Sequence, residues 1–203
     1  MKGAGMDDPY RRGIRLEYFT ITYNIFEAAA SMFFGGIAGS IALIGFGLDS
    51  VIESLSGGIL LWRLRKHEAL AEEEEEKTEK RAVKFVAATF FILGAYVLFE
   101  SAKKLIFQEI PEPSLPGIVI AALSTIIMPL LAHKKLKTAA EIGSKALAAD
   151  SKETLACALL SMALLLGLGL NYTVGIWWAD PVVGLLIVFF LFREGWEGWR
   201  GGD

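Results

Sequence analysis

The stretch GFGLDSVIES (residues 45–54) lies inside a long apolar segment and carries two carboxylates four residues apart, Asp49 and Glu53. Residues at positions i and i+4 of a helix lie on one face, about 6 Å apart along the axis. A charged side chain at the centre of a bilayer costs about 2.5 kcal/mol or more, so such residues are rare and usually functional. The stretch therefore predicts a membrane helix with a functional site inside it.

The composition is that of a membrane protein with several spans. Of the 203 residues, 54% are hydrophobic, the mean hydropathy is +0.47, and the apolar residues come in long blocks. A membrane helix needs about 20 apolar residues, and the chain contains six such segments. They cover roughly residues 17–37, 40–63, 82–106, 116–134, 147–170 and 177–196. We therefore expect an all-α, polytopic membrane protein with six transmembrane helices.

The basic residues predict the orientation of these helices. Every Lys and Arg except Lys103 and Lys104 falls on the side of the two termini, and the positive-inside rule places that side in the cytoplasm. Residues 1–16 are polar and lack the apolar core of a signal peptide. We interpret them as a cytoplasmic segment before a membrane domain at residues 17–200, and we expect no separate soluble domain.

A second pair of potential ligands lies at the start of the fifth segment. Glu153 and Cys157 repeat the four-residue spacing, at nearly the same predicted depth as Asp49 and Glu53. Two such pairs facing each other would form a cage of oxygen and sulfur donors, which suits a borderline divalent metal such as zinc. Without a metal the carboxylates would take up protons, so one site could hold either species in turn.

Three more polar residues are candidates for an additional metal or proton site: Asn24, Glu27 and Asp150. Each also has a structural interpretation. Glu27 could be paired within the bundle, and Asp150 could cap the fifth helix. Cys157 could be a small apolar filler instead of a ligand. No basic residue falls at the predicted midplane to pair with the acids there.

Three stretches carry a family resemblance. GSIALIGFGLDSVIESLSGG (39–58) is similar to the second helix of the cation diffusion facilitators, a family of proton-coupled exporters of divalent metals. KALAADSKETLACALLS (145–161) is similar to their fifth helix, and WWADPVVGLLIVFFLFREGWE (177–197) to their sixth. The resemblance extends over about residues 18–200, and we expect no counterpart of the soluble domain that usually follows the sixth helix in this family.

The resemblance implies a metal site made of Asp49, Glu53, Glu153 and Cys157. The family's second aspartate in each pair is replaced, by Glu53 and Cys157, and no histidine enters the site. The resemblance makes zinc the first expectation, with protons as the coupling ion. The replaced aspartates and the missing histidine weaken a strict preference for zinc and leave Mn²⁺, Fe²⁺, Co²⁺ and Cd²⁺ open as cargo. Helices one, two, four and five would surround the site, with helices three and six to one side.

The family plan also implies partners and a location. We expect a homodimer through the membrane helices, in a bacterial or archaeal plasma membrane, with no cofactor and no nucleic-acid partner. Small residues that would permit close helix contact are Gly35, Gly36, Gly39, Gly57 and Gly58.

Two other functions compete with transport. A metal-dependent membrane enzyme acting on lipid headgroups would need its acids near the interface, accompanied by basic residues that hold phosphate. Because the acids are predicted at the midplane without such residues, we expect no enzymatic activity. A metal sensor or scaffold of the same fold that does not transport remains an alternative.

Overall fold

The computed structural model describes residues 9–66 and 72–201, and these residues form helices and connecting turns only. The predicted all-α class is thus confirmed. Residues 1–8 and 67–71, parts of the predicted N-terminal segment and of the second connection, lie outside the described residues. The six helices are α1 (Pro9–Ala38), α2 (Ile41–Lys66), α3 (Glu72–Phe107), α4 (Leu115–Ile142), α5 (Lys145–Val174) and α6 (Ala179–Gly201).

Each predicted span falls on one of these helices, but several helices are longer than the spans. α3 begins at Glu72, and α4 continues through Pro129 to Ile142. Within the described residues, three helical segments are long and apolar enough to cross a membrane by themselves. They are Ile41–Trp62, Leu115–Ile142 and Ala146–Val174.

Serine and glycine residues define the helix ends. Ser144 caps α5, because its side chain accepts a hydrogen bond of 3.2 Å from the backbone N–H of Leu147. Gly143 and Gly175 follow α4 and α5 with φ of 70° and 69°, the left-handed conformation that glycine adopts most easily. The interpretation of Asp150 as the cap of α5 is therefore wrong, since it lies inside the helix.

The helices associate most extensively as the pairs α1–α2, α4–α5 and α3–α6, and α2 also packs against α3, α5 and α6. α1 and α2 approach closely at glycines. A Cβ atom at Gly35 would lie 2.9 Å from Ile44 Cγ1, and one at Gly57 would lie 3.2 Å from Glu17 Oε2. These two glycines thus serve contacts within the chain, whereas Gly36 and Gly58 have open space beside them.

An apolar core fills one half of the bundle. Its centre consists of Phe46, Met128, Leu164 and Ile187, which are fully buried and belong to α2, α4, α5 and α6. The cluster extends toward the end of the bundle where α2 begins and α5 ends. That end is therefore closed by packed apolar side chains.

Asp180 at the start of α6 joins that helix to the N-terminus of α2. Its buried carboxylate accepts hydrogen bonds from the Ser40 hydroxyl and from the backbone N–H of Ile41, the latter at 3.0 Å. A carboxylate at a helix N-terminus is favourable because it faces the unpaired N–H groups and the positive end of the helix dipole. This contact sets the start of the helix that carries Asp49 and Glu53.

Replacing Asp180 with Ala should lower the free energy of unfolding by about 1–3 kcal/mol, because two buried donors lose their acceptor. Denaturant unfolding in detergent micelles measures the change. Glu112→Ala is the matched control, since this side chain is exposed and only its backbone N–H bonds to Ala38. Equal stability of the two variants would show that the cap contributes nothing.

Candidate functional site

The four predicted ligands line a single small cavity between α2 and α5. Asp49 and Glu53 face it from α2, and Glu153 and Cys157 from α5. The cavity has a volume of about 20 Å³, which is room for about one water-sized species. The structure thus brings together the four side chains that the sequence pairs only two by two.

These side chains differ in burial and in hydrogen bonding. Glu53 is 6% exposed, and neither of its carboxylate oxygens has a hydrogen-bond partner among the described residues. Glu153 is half-buried and accepts a hydrogen bond of 3.0 Å from the Ser56 hydroxyl of α2. Cys157 is 2% exposed and belongs both to the apolar core and to the cavity lining.

The four side chains are adjacent but do not form a coordination sphere. In the described ranges 9–66 and 72–201, no group of three or more His, Cys, Asp or Glu side chains has the spacing that would hold a metal ion. Coordination by all four would need donor-to-metal distances of about 2.0–2.3 Å. The ligand role of these residues therefore stays a prediction.

Helices α3 and α6 also reach the cavity, which the sequence did not predict. Glu194 of α6 adds a half-buried carboxylate to its lining, and Phe90 of α3 and Phe190 of α6 add aromatic walls. Glu194 lies near the end of the stretch WWADPVVGLLIVFFLFREGWE (177–197) that resembles the family's sixth helix, so the sequence did mark this region. Its apparent position near the membrane surface concealed its role.

A wider cavity of about 590 Å³ adjoins the small one and shares Glu153 and Glu194 with it. It lies between α2, α3, α5 and α6, toward the end of the bundle where α5 begins and α6 ends. Further acids and two basic residues line it. They are Asp150, Glu197, Lys152 and Arg193.

Asn24 and Glu27 lie on the buried face of α1 instead of lining either cavity. Asn24 is fully buried and Glu27 is 4% exposed. The Ser50 hydroxyl of α2 donates a hydrogen bond of 2.9 Å to Glu27 Oε2. Glu27 is close enough to Glu53 and Cys157 to interact with them electrostatically.

Asp150 belongs to a buried ion triad that the sequence did not reveal. The ammonium of Lys135 on α4 lies 2.5 Å from Asp150 Oδ2 on α5 and 3.2 Å from Glu17 Oε1 on α1. It also donates a hydrogen bond of 3.3 Å to the Thr154 hydroxyl. Lys135 and Glu17 are fully buried, so the triad holds α1, α4 and α5 together. Asp150 is thus part of this triad and does not form a common site with Asn24 and Glu27.

The placement of Lys135 outside the predicted membrane spans is therefore wrong, because this residue is buried in the bundle with Glu17 and Asp150. The predicted fourth span ended at residue 134, which put Lys135 in a solvated connection. α4 continues to Ile142 with a buried face that includes Met128, Lys135 and Ala139. A charged residue lowers local hydropathy without ending a helix, and Lys135 remains buried because carboxylates on two neighbouring helices neutralise it.

The fold and the site define a class: a polytopic helical membrane protein with a carboxylate-lined cavity inside its bundle. Residues 18–200 match the family model described as the cation efflux transmembrane domain. The chain therefore belongs to the cation efflux family, whose members are transport proteins, and it is an integral membrane protein.

The chain is similar to several known proteins, of which two illustrate the degree of similarity. Transmembrane protein 163 of Xenopus laevis is 23% identical over 186 residues, which are 91% of this chain and 65% of that protein. The uncharacterized transporter sll1263 of Synechocystis sp. is 22% identical over 163 residues, 78% of this chain and 53% of that protein. The chain thus spans between half and two thirds of the length of these relatives.

Replacing Lys135 with Met should destabilise the protein strongly. Removing one partner of a buried ion pair costs about 3–5 kcal/mol, because the remaining charge is left buried without compensation. Thermal and denaturant unfolding in detergent micelles measure the loss. Lys137→Met is the matched control on the same helix, because Lys137 is exposed. Equal stability of the two variants would contradict a structural role for the triad.

Proposed function

We propose that this protein is a proton-coupled efflux transporter for divalent metal cations, with Zn²⁺ as the best-suited cargo. The observation that carries the proposal is the convergence of Asp49, Glu53, Glu153 and Cys157 from two helices on one cavity. Its setting is the cation efflux domain, which supplies the transport class. We propose the identity of the metal, the coupling to protons and the direction of transport on the arguments that follow.

The donor set supports a borderline divalent metal. Carboxylate oxygens accept many divalent ions, and a thiolate favours Zn²⁺ or Cd²⁺ over Mg²⁺ or Ca²⁺. Mn²⁺, Fe²⁺ and Co²⁺ remain further candidates. Binding requires the four side chains to rotate inward, since they do not form a coordination sphere in this structure. A dication supplies the driving force, because it offsets the repulsion between carboxylates in a low-dielectric interior.

The asymmetry of the bundle supports loading from one side. The wide cavity opens from the site toward the end where α5 begins and α6 ends, whereas packed apolar side chains close the other end. The distribution of basic residues puts the open end in the cytoplasm. In this proposal the structure is the inward-facing state, and acids such as Glu197 attract cations into the cavity.

Transport by this site requires a second state that is open to the other side. Alternating access arises when helices rock around a fixed midplane site. A homodimer through the membrane helices is part of the proposal, with Gly36 and Gly58 as small residues that have open space beside them and permit close contact.

A sensor or scaffold of the same fold is distinguished from a transporter by metal flux. The purified protein is reconstituted in sealed vesicles, and entry of Zn²⁺ is followed with a fluorescent indicator inside them. A transporter gives flux that increases with an opposing proton gradient, whereas a sensor gives none. Zn²⁺ binding without flux under either condition would establish the sensor.

Asp49→Ala and Glu53→Ala should each reduce Zn²⁺ flux by more than about tenfold, since loss of an outer-shell partner alone costs about 10–100-fold in metal affinity. Both variants should remain folded, because neither carboxylate forms a salt bridge with a basic side chain among the described residues. Glu109→Ala is the control, as its carboxylate pairs with Lys103 away from the cavity. Unchanged flux in either site variant would remove that residue from the mechanism.

A further inference from the structure

Polar residues occupy the buried face of α1 at every turn. Glu17, Thr20, Asn24, Glu27 and Ser31 follow one another at intervals of three or four residues, and each is at most 4% exposed. The opposite face is apolar and exposed, with Phe26 at 72% and Phe33 at 64%. The helix thus presents apolar side chains to lipid and a polar stripe to the bundle. Burying five polar side chains without hydrogen bonds would be costly in such an environment.

The middle of this stripe has hydrogen-bonding capacity that the described residues leave unused. Glu27 Oε2 accepts the bond from Ser50, but Glu27 Oε1 and both amide atoms of Asn24 have no partner among the residues described. The hydroxyls of Ser31 and Ser124 are equally buried, and likewise lack a partner within the described chain. Ser124 of α4 lies beside Glu27. Buried polar groups of this kind are as a rule satisfied by a bound species.

The charge of the cluster indicates which species it holds. Glu27 is its one carboxylate, and the others are an amide and hydroxyls. The titratable groups that face Glu27 from outside the cluster are the Tyr23 phenol on α1 and the side chains of Asp49, Glu53 and Cys157 on α2 and α5. A proton on Glu27 removes the net charge of the cluster. The protonated carboxyl group can then donate one hydrogen bond through its O–H and still accept one at its other oxygen. A dication would leave a net positive charge in a low-dielectric interior, which is unfavourable.

The cluster is electrostatically connected to the proposed metal site. Ser50, the neighbour of Asp49 on α2, donates its hydrogen bond to Glu27, which places Glu27 near enough to Asp49, Glu53 and Cys157 to respond to their charges. A dication held there favours the ionised form of Glu27, and an ionised Glu27 in turn strengthens the binding of the dication. This coupling is reciprocal, so loading the metal releases the proton and protonation weakens metal binding.

We propose that Glu27 is the binding site of the exchanged proton, distinct from the metal ligands and held in the polar cluster of Asn24, Ser31, Ser50 and Ser124. This inference rests on the proposed function and specifies how its two ions are separated. Asn24 and Thr20 continue the stripe toward Glu17, ten residues and about 15 Å along the helix. They provide polar groups between Glu27 and Glu17, whose partner Lys135 also pairs with Asp150 in the lining of the wide cavity.

The first test compares wild type and Glu27→Gln in vesicles, in sodium-free buffer, with Zn²⁺ as the probe. Zn²⁺ and pH indicators measure both fluxes. Glu27→Gln should lower downhill Zn²⁺ flux by less than about tenfold, because it loses the negative charge that assists the dication but no proposed ligand, while the stimulation by a proton gradient falls at least tenfold. Glu27→Asp should restore the stimulation, and Glu100→Gln, a carboxylate paired with Lys103 at 3.6 Å, should behave as wild type.

Two results would overturn the inference. If Glu27→Gln keeps the full stimulation by the proton gradient, the proton binds elsewhere. If it loses Zn²⁺ binding as Asp49→Ala does, Glu27 is a metal ligand.

A second measurement needs no transport and thus separates this inference from the proposed function. Infrared difference spectroscopy of the purified protein should show a protonated carboxyl band that is absent in Glu27→Gln and disappears when Zn²⁺ binds. If wild type gives no flux but the band responds to Zn²⁺, transport is refuted while the proton site stands. A band that is missing in wild type refutes the proton site.

Discussion

The structure depends on the cost of keeping carboxylates inside an apolar bundle. Each ionised acid there must be neutralised by a cation, a proton or hydrogen bonds, because water is excluded. α1 shows how the helices meet this constraint. It turns its polar stripe inward and its aromatic residues, such as Phe26 and Phe33, toward lipid. The packing of α1 against α2 and α4 then follows from the need to cover that stripe.

The buried acids fall into groups that differ in what neutralises them. Glu17 and Asp150 share a resident cation, Lys135, and therefore stabilise the contact of α1, α4 and α5. Asp49, Glu53 and Glu153 line a cavity together, and no basic side chain lines that cavity with them among the residues described. An acid with its own lysine has a structural role, whereas an acid without one is available to an exchangeable ion. Because Asp150 is paired with Lys135 and the proposed metal ligands are not, Asp150 is not counted among those ligands.

The two halves of the bundle differ in a way that suits one-sided access. Apolar side chains around Phe46 and Leu164 fill the half near the start of α2, whereas a wide polar cavity occupies the other half. The cap formed by Asp180 lies at the closed end. α2 is thus held firmly at one end, and its carboxylates lie where the packed half meets the open half.

The sequence by itself determined the helical class, the number of helices and the two pairs of ligand candidates, because apolar blocks and four-residue spacing are local properties. It also predicted the family. Only the tertiary structure decided that Lys135 is buried with Glu17 and Asp150, that Glu194 lines the cavity, and that Glu27 lies apart from it. Those facts depend on which helix faces meet, and the neutralisation of one charge by another across helices leaves no periodic signal in a single chain.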